Sequence, residues 1–114
     1  MAITQNPVGY LTKLLQAFIN DRNAIGKQTL TVTTNAQSLT PTSGATYARL
    51  QVESTNTTDA IRYYEEGSAP TASAGWVQAN GFVMELTTAE NIKNFKVIKG
   101  TGGGTTVLNI TYYK

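Results

Sequence analysis

At Lys27 the hydrophobic period of this chain changes from helical to two, and that switch restricts it to one helix followed by strands. Residues 28–34 (QTLTVTT) set Leu30 and Val32 against threonines. Residues 46–54 (TYARLQVES) set Ala48, Leu50 and Val52 against Tyr47, Arg49, Gln51 and Glu53. Each reads as a half-buried strand with one wet face. Further strands are expected at 60–65, 76–79, 82–86, 95–99 and 105–113. Turn signals separate them: PTSG at 41–44, TNTTD at 55–59, an Ala/Ser/Pro loop after Glu66, Asn80-Gly81 and a triglycine at 102–104. Asn80-Gly81 is the sharpest, since both residues tolerate the positive φ of a tight hairpin. Thr88 to Ile92 predicts a single helical turn inside a connection. About seven short strands without βαβ alternation predict a mainly β fold: an antiparallel β-sandwich or jelly-roll-like barrel, preceded by an N-terminal α-helix.

That helix starts at Asn6-Pro7, a cap followed by the residue favoured at the first helical position. Val8, Leu11, Leu14, Leu15, Phe18 and Ile19 then fall within an arc of roughly 140° at about 100° per residue. Gly26 is the expected stop. The domain reading is therefore a helical arm over residues 1–26 and a β-sandwich over 27–114. Two uses of the apolar stripe stand open: packing on the core of its own domain, or docking on a partner or sister subunit. The second is favoured because two packed sheets bury their inner sides without a helix.

Composition narrows the chemistry. Only 14% of residues are charged, against about 25% in an average soluble domain. Solubility then falls to neutral polar groups, and the 19 threonines supply them while favouring strands. With no cysteine there is no disulfide framework or thiolate chemistry, and with no histidine the commonest metal ligand and general base are missing. The net charge of +2 is too small and scattered for a nucleic-acid footprint. MAITQNPVG reads as no targeting signal, and no run approaches the roughly 18 apolar residues of a membrane span. Asn56-Thr57-Thr58 and Asn109-Ile110-Thr111 match the glycosylation sequon, and both read as accidents.

Residues 99–106 (KGTGGGTT) resemble a phosphate loop only in their glycines, because a Lys-Ser/Thr pair opening a helix is missing. They read as a hairpin turn. Glu65 and Glu66 are neighbours on a strand and point to opposite faces, so they cannot flank one bond. Lys93, Lys96 and Lys99 form the one local basic cluster, which reads as edge protection. No catalytic, cofactor-binding or metal-binding residue is expected, and no cofactor.

The stretch from Ala48 to Lys114 resembles small virion structural proteins of tailed bacteriophages. The resemblance rests on Ala60-Ile61-Arg62-Tyr63, on the loop at 67–75 (GSAPTASAG), and on 82–86 (FVMEL). It continues through 92–98 (IKNFKVI) to the closing LNITYY at 108–113. It implies a β-rich, oligomeric particle component such as a decoration, cement or fibre-base protein, and carries no catalytic signature.

A loop of Gly, Ser, Ala, Pro and Thr has little side-chain entropy to lose, and Pro70 limits its freedom further. Such a loop can lie against a neighbouring subunit, with aromatics at its base supplying buried area. The expected interface residues are therefore Arg62, Tyr63, Tyr64, Pro70 and Trp76, joined by Val8, Leu11, Leu15, Phe18 and Ile19 of the arm. Arg62 is predicted to point opposite to Ile61 and Tyr63 and to pair with a carboxylate or backbone carbonyls at a subunit boundary. The function expected is non-enzymatic: a capsid decoration or cement protein of a phage virion, assembled in the host cytoplasm. Its partners would be its own copies, as in a trimer, and the major capsid protein or other virion proteins, with no nucleic acid and no membrane. The alternative is a carbohydrate- or host-binding β-sandwich on a fibre or tail.

Overall fold

Burial along the last strand alternates without a break: Thr106, Leu108, Ile110 and Tyr112 point inward, while Val107, Asn109, Thr111 and Tyr113 stay half-exposed. The computed structural model describes residues 22–102 and 104–114. It holds eight strands: β1 (Ala24–Thr31), β2 (Gln37–Ser38), β3 (Tyr47–Ser54), β4 (Ile61–Tyr64), β5 (Trp76–Gln78), β6 (Val83–Leu86), β7 (Lys96–Lys99) and β8 (Thr106–Tyr113). One short helix, α1 (Ala89–Asn94), precedes β7. The strands form two four-stranded antiparallel sheets, the first ordered β1-β8-β3-β6 and the second β2-β7-β4-β5. The expected mainly β, antiparallel architecture is what the chain adopts.

The core lies between the sheets. Leu50, Val52, Leu108 and Tyr112 enter from the first sheet, Ile61, Tyr63 and Val97 from the second, and Leu86, Ile92 and Phe95 close it around α1. Each large apolar side chain buried there stabilises the fold by about 1.5–3 kcal/mol. Tyr63 and Phe95 stack with centroids 5.5 Å apart and planes at 29°. Thr106, the buried polar residue of β8, shares its hydroxyl with that of Ser54 at 2.8 Å.

Of the connections between consecutive strands, only β4 to β5 stays within one sheet. Asn80-Gly81 is therefore not the tight hairpin that its residues suggested. It carries the chain from β5 in the second sheet to β6 in the first. Gly81 has φ +88°, no non-glycine residue among the described residues has positive φ, and the Phe82 N–H donates to the Ala79 carbonyl at 3.3 Å. Positive φ at the third position alone is the pattern of a type II turn. The end of β3 pins it: the Gly81 N–H donates to the Val52 carbonyl at 2.8 Å, and the Asn80 side chain accepts from the Ser54 N–H at 3.0 Å.

The glycines after Lys99 likewise cross between sheets and do not make a hairpin. Here closeness matters, since a Cβ on Gly100 would strike Asp59 and one on Gly102 would strike Asn56. The short β2 carries no apolar alternation. Gln37 holds it, accepting from the Thr33 N–H at 2.7 Å and donating to the Thr31 carbonyl at 3.0 Å. Helix α1 stands where a single helical turn was expected, and Thr88 caps it by accepting from the Asn91 N–H at 3.0 Å.

Gly26 is no helix stop. It lies within β1 opposite Tyr112, beside a bulge, and β1 begins ahead of the boundary expected at Lys27. Backbone bonds between Asn23 and Lys114, at 3.2 and 3.0 Å, extend that pairing further. The expected helix, with Val8, Leu11, Leu15, Phe18 and Ile19, lies outside the described residues.

Removal of residues 1–21 is expected to keep a cooperative thermal transition, whereas removal of 1–26 strips the first rungs of β1 and lowers Tm by roughly 5 °C or more. Melting of the two truncations side by side checks this. A second expectation concerns Tyr112, whose buried hydroxyl donates to Gln28 at 2.5 Å and is pushed by burial up to about 12. The folded state holds this proton more tightly than the unfolded chain, where the value is about 10. Its contribution to stability is complete below pH about 10 and is lost as pH climbs toward 12. Melting at pH 9 and at pH 11.5 should show the drop, and Tyr112→Phe should lessen it.

Candidate interaction surface

Alternation on β4 sends Ile61 and Tyr63 inward and leaves Arg62 and Tyr64 half-exposed on the outer face. Arg62 thus points as expected, and its carboxylate partner belongs to its own chain. Its Nη2 lies 3.7 Å from Asp59 Oδ2, with the two side chains 21% and 17% exposed. Arg62 Nε and Asp59 Oδ1 are buried without hydrogen-bond partners, so the pair falls short of a bidentate fork. Asp59 is held more firmly by Thr101, whose hydroxyl and N–H donate to Oδ2 at 2.6 and 3.3 Å. Those bonds come first in keeping its carboxyl below the ordinary range; burial opposes them and Arg62 adds a smaller pull downward. The backbone of Asp59 is tied in turn by Asn56, which donates to its carbonyl at 2.7 Å and accepts from its N–H at 3.1 Å. This cluster fastens the glycine crossing to the β3–β4 loop.

The Ala/Ser/Pro loop folds back on β4. Thr71 and Ala74 pair through two backbone bonds of 2.9 and 3.2 Å. Pro70 is buried, and a Cβ on Gly75 would stand 3.2 Å from both Pro70 Cβ and Arg62 Cβ. The loop's buried proline is thus packed on its own sheet. Tyr63 is core, as its stacking on Phe95 requires, and Tyr64 keeps only part of its surface exposed. Of the expected interface residues on described elements, Trp76 alone is openly displayed, at 68% exposure.

Trp76 does not stand by itself. The large apolar side chains exposed among the described residues are Trp76, Val77, Phe82 and Val83. They flank one turn, and their strands are edges: β5 pairs only with β4, and β6 only with β3. Four exposed apolar side chains therefore lie on two edge strands and the turn that joins them. The far edge of the first sheet differs. There β1 carries Lys27, threonines and a bulge, features that blunt an edge. Sequence reading missed Val77, Phe82 and Val83 because each sits in a stretch that looks like core. The available signal was adjacency: Trp76-Val77 and Phe82-Val83 put apolar groups on both faces of short strands.

The outer face of the first sheet is polar. Cross-strand register aligns Lys27, Thr111, Arg49 and Glu85 in one row and Thr29, Asn109, Gln51 and Val83 in the next. Tyr47 and Tyr113 end this face, edge to face at 5.3 Å, with the Arg22 guanidinium 3.9 Å above the Tyr47 ring. Burial first, then the neighbouring Glu85 carboxylate, raise the Tyr47 hydroxyl to about 12.

Because the folded-state value of Asp59 is depressed, its contribution to stability is present at neutral pH and is lost as pH falls through the ordinary carboxylate range and below. Thr101→Val should remove the main cause and make acid unfolding less steep, which melting between pH 7 and pH 2 reads directly. Comparisons with protein-family models, with curated proteins and with solved structures found no match to this chain.

Proposed function

We propose that this chain is a non-enzymatic structural component of a bacteriophage virion, a capsid decoration or cement protein that works as a homo-oligomer on the head. The observation that carries the reading is the exposure of Trp76, Val77, Phe82 and Val83 on two edge strands and the turn that joins them. Large apolar side chains exposed on strand edges are candidates for association sites. An uncovered strand edge offers backbone donors and acceptors to a second chain. The reading also takes the two strand orders as those of an eight-stranded jelly roll, an architecture used by viral capsid and lectin domains. That support is analogy of fold, and it joins the resemblance of residues 48–114 to small phage virion proteins. Many copies, each bridging neighbouring capsid subunits, would stabilise a shell through binding energy spread over the lattice.

A second reading, a carbohydrate-binding module on a fibre or tail, is favoured by the polar outer face of the first sheet. There Arg49, Gln51 and Asn109 stand on the same face as the Tyr47–Tyr113 pair.

Trp76 is the single tryptophan, so its fluorescence reports this surface directly. On concentrating the protein, its emission should shift to the blue as sedimentation shows a larger species. Trp76→Ala should weaken association by about 2 kcal/mol, roughly thirtyfold in Kd. A chain that remains monomeric with unshifted emission, and that does not co-migrate with assembled heads, would end the decoration reading.

A further inference from the structure

The outer face of the first sheet holds a shallow concavity of about 500 Å³, whose lining includes Lys27, Thr29, Arg49, Gln51, Asn109 and Thr111. Two cations and a set of neutral hydrogen-bonding groups surround it, and no carboxylate lines it. The acidic residues of the same face border it, Glu85 standing opposite Arg49 in the register. Glu53 accepts from the Asn109 amide at 3.3 Å, and Glu85 lies beside the Tyr47 hydroxyl. Among the described residues the ion pair is Asp59–Arg62, which leaves Lys27 and Arg49 without a carboxylate partner.

Register fixes the geometry. Lys27 and Arg49 flank Thr111 in one row, on strands two steps and so about 10 Å apart. Both side chains are long enough to converge over that threonine. The adjacent row presents Thr29, Asn109 and Gln51, an alternation of hydroxyl and amide that can donate and accept together. Val83 ends that row with an exposed apolar surface. Tyr47 and Tyr113 pack on each other at the margin, and no aromatic lines the concavity to stack a base.

We propose that this face binds an acidic carbohydrate, a sugar ring bearing a carboxylate. The carboxylate lies between the Arg49 guanidinium and the Lys27 ammonium, with Thr111 beneath it. Ring hydroxyls meet Asn109 and Gln51, which stand beside Thr111 and Arg49 on β8 and β3, and a second sugar unit reaches Thr29. The cations give the preference for charge, since a guanidinium fork matches a carboxylate. The neutral row gives the preference for a polyol over a bare anion. This inference rests on the carbohydrate-binding reading above and gives it a ligand class.

Titration calorimetry on the intact chain tests it, with an oligogalacturonate and a sialylated trisaccharide as acidic probes, galactotriose as the uncharged probe and inorganic sulfate as the bare anion. At least one acidic probe should bind, at least tenfold more tightly than galactotriose or sulfate, and more weakly as salt is raised. Arg49→Gln and Lys27→Gln should each weaken that binding about tenfold or more, with thermal melting unchanged as the control for folding. If galactotriose binds as well as the acidic probes, the preference for charge is wrong while the carbohydrate reading stands. Equal binding of sulfate makes the site a plain anion site and overturns the proposal. If no sugar binds, both fall. Acidic-probe binding that neither substitution changes would place the site elsewhere and overturn this one.

Discussion

Face-to-face packing of two sheets is the interaction on which the rest of this molecule depends. Only β4 and β5 are joined within a sheet, so neither sheet can form as a chain of local hairpins. Each sheet instead brings together strands distant in sequence: β8 lies between β1 and β3, and β4 lies between β7 and β5. What compensates the ordering of so many separate segments is the common interior. There Leu50, Leu108 and Tyr112 are wholly buried from one side, Ile61 and Val97 from the other. The stack of Tyr63 on Phe95 joins β4 to the end of α1, and so ties the helical connection to the second sheet.

Crossings between sheets leave backbone groups at the ends of the sandwich that no ladder satisfies, and short polar side chains take them up. Asn56, Asp59 and Thr101 do this where β3 leads to β4 and β7 leads to β8. Gln37 does it after β1, and Asn80 before β6. The low charge and high threonine content of the chain thus have a structural use beyond solubility. Arg62 belongs to the same economy of end-sealing: its partner is the carboxylate that Thr101 already holds.

Periodicity made most of the fold legible in the sequence, because alternation of burial is a property of a strand by itself. Six of the eight strands lie where the pattern put them to within a residue at each end, while β1 begins four residues before its expected start and ends three before its expected end. The eighth, β2, is two residues fixed by one glutamine side chain, and no period can announce that. Connectivity was less legible. Asn80-Gly81 and the triglycine have the residues of hairpins, and local φ preferences say nothing of which sheet the next strand joins. Burial of aromatics divided along similar lines: Tyr63 and Trp76 are opposite partners on adjacent strands and share a face, yet Tyr63 is buried and Trp76 exposed, since β5 is an edge and β4 is not. At Gly26 a helix-stop signal was in fact a bulge site in β1, beyond what composition could distinguish.

The place of β8 has a consequence in time. Its partners β1 and β3 come early in the chain, and the Tyr112–Gln28 bond alone joins residues 84 apart in sequence. Topologies dominated by such distant pairing fold in milliseconds to seconds, because loop closure must precede the contacts that reward it. During synthesis the first sheet lacks its central strand until β8 emerges, and β1 and β3 have no neighbour between them. Strands β4 to β6, with Trp76 and Phe82, are already made by then. A nascent chain of this design therefore carries its stickiest edges through the slowest part of folding, and its yield depends on how crowded it is with its own copies.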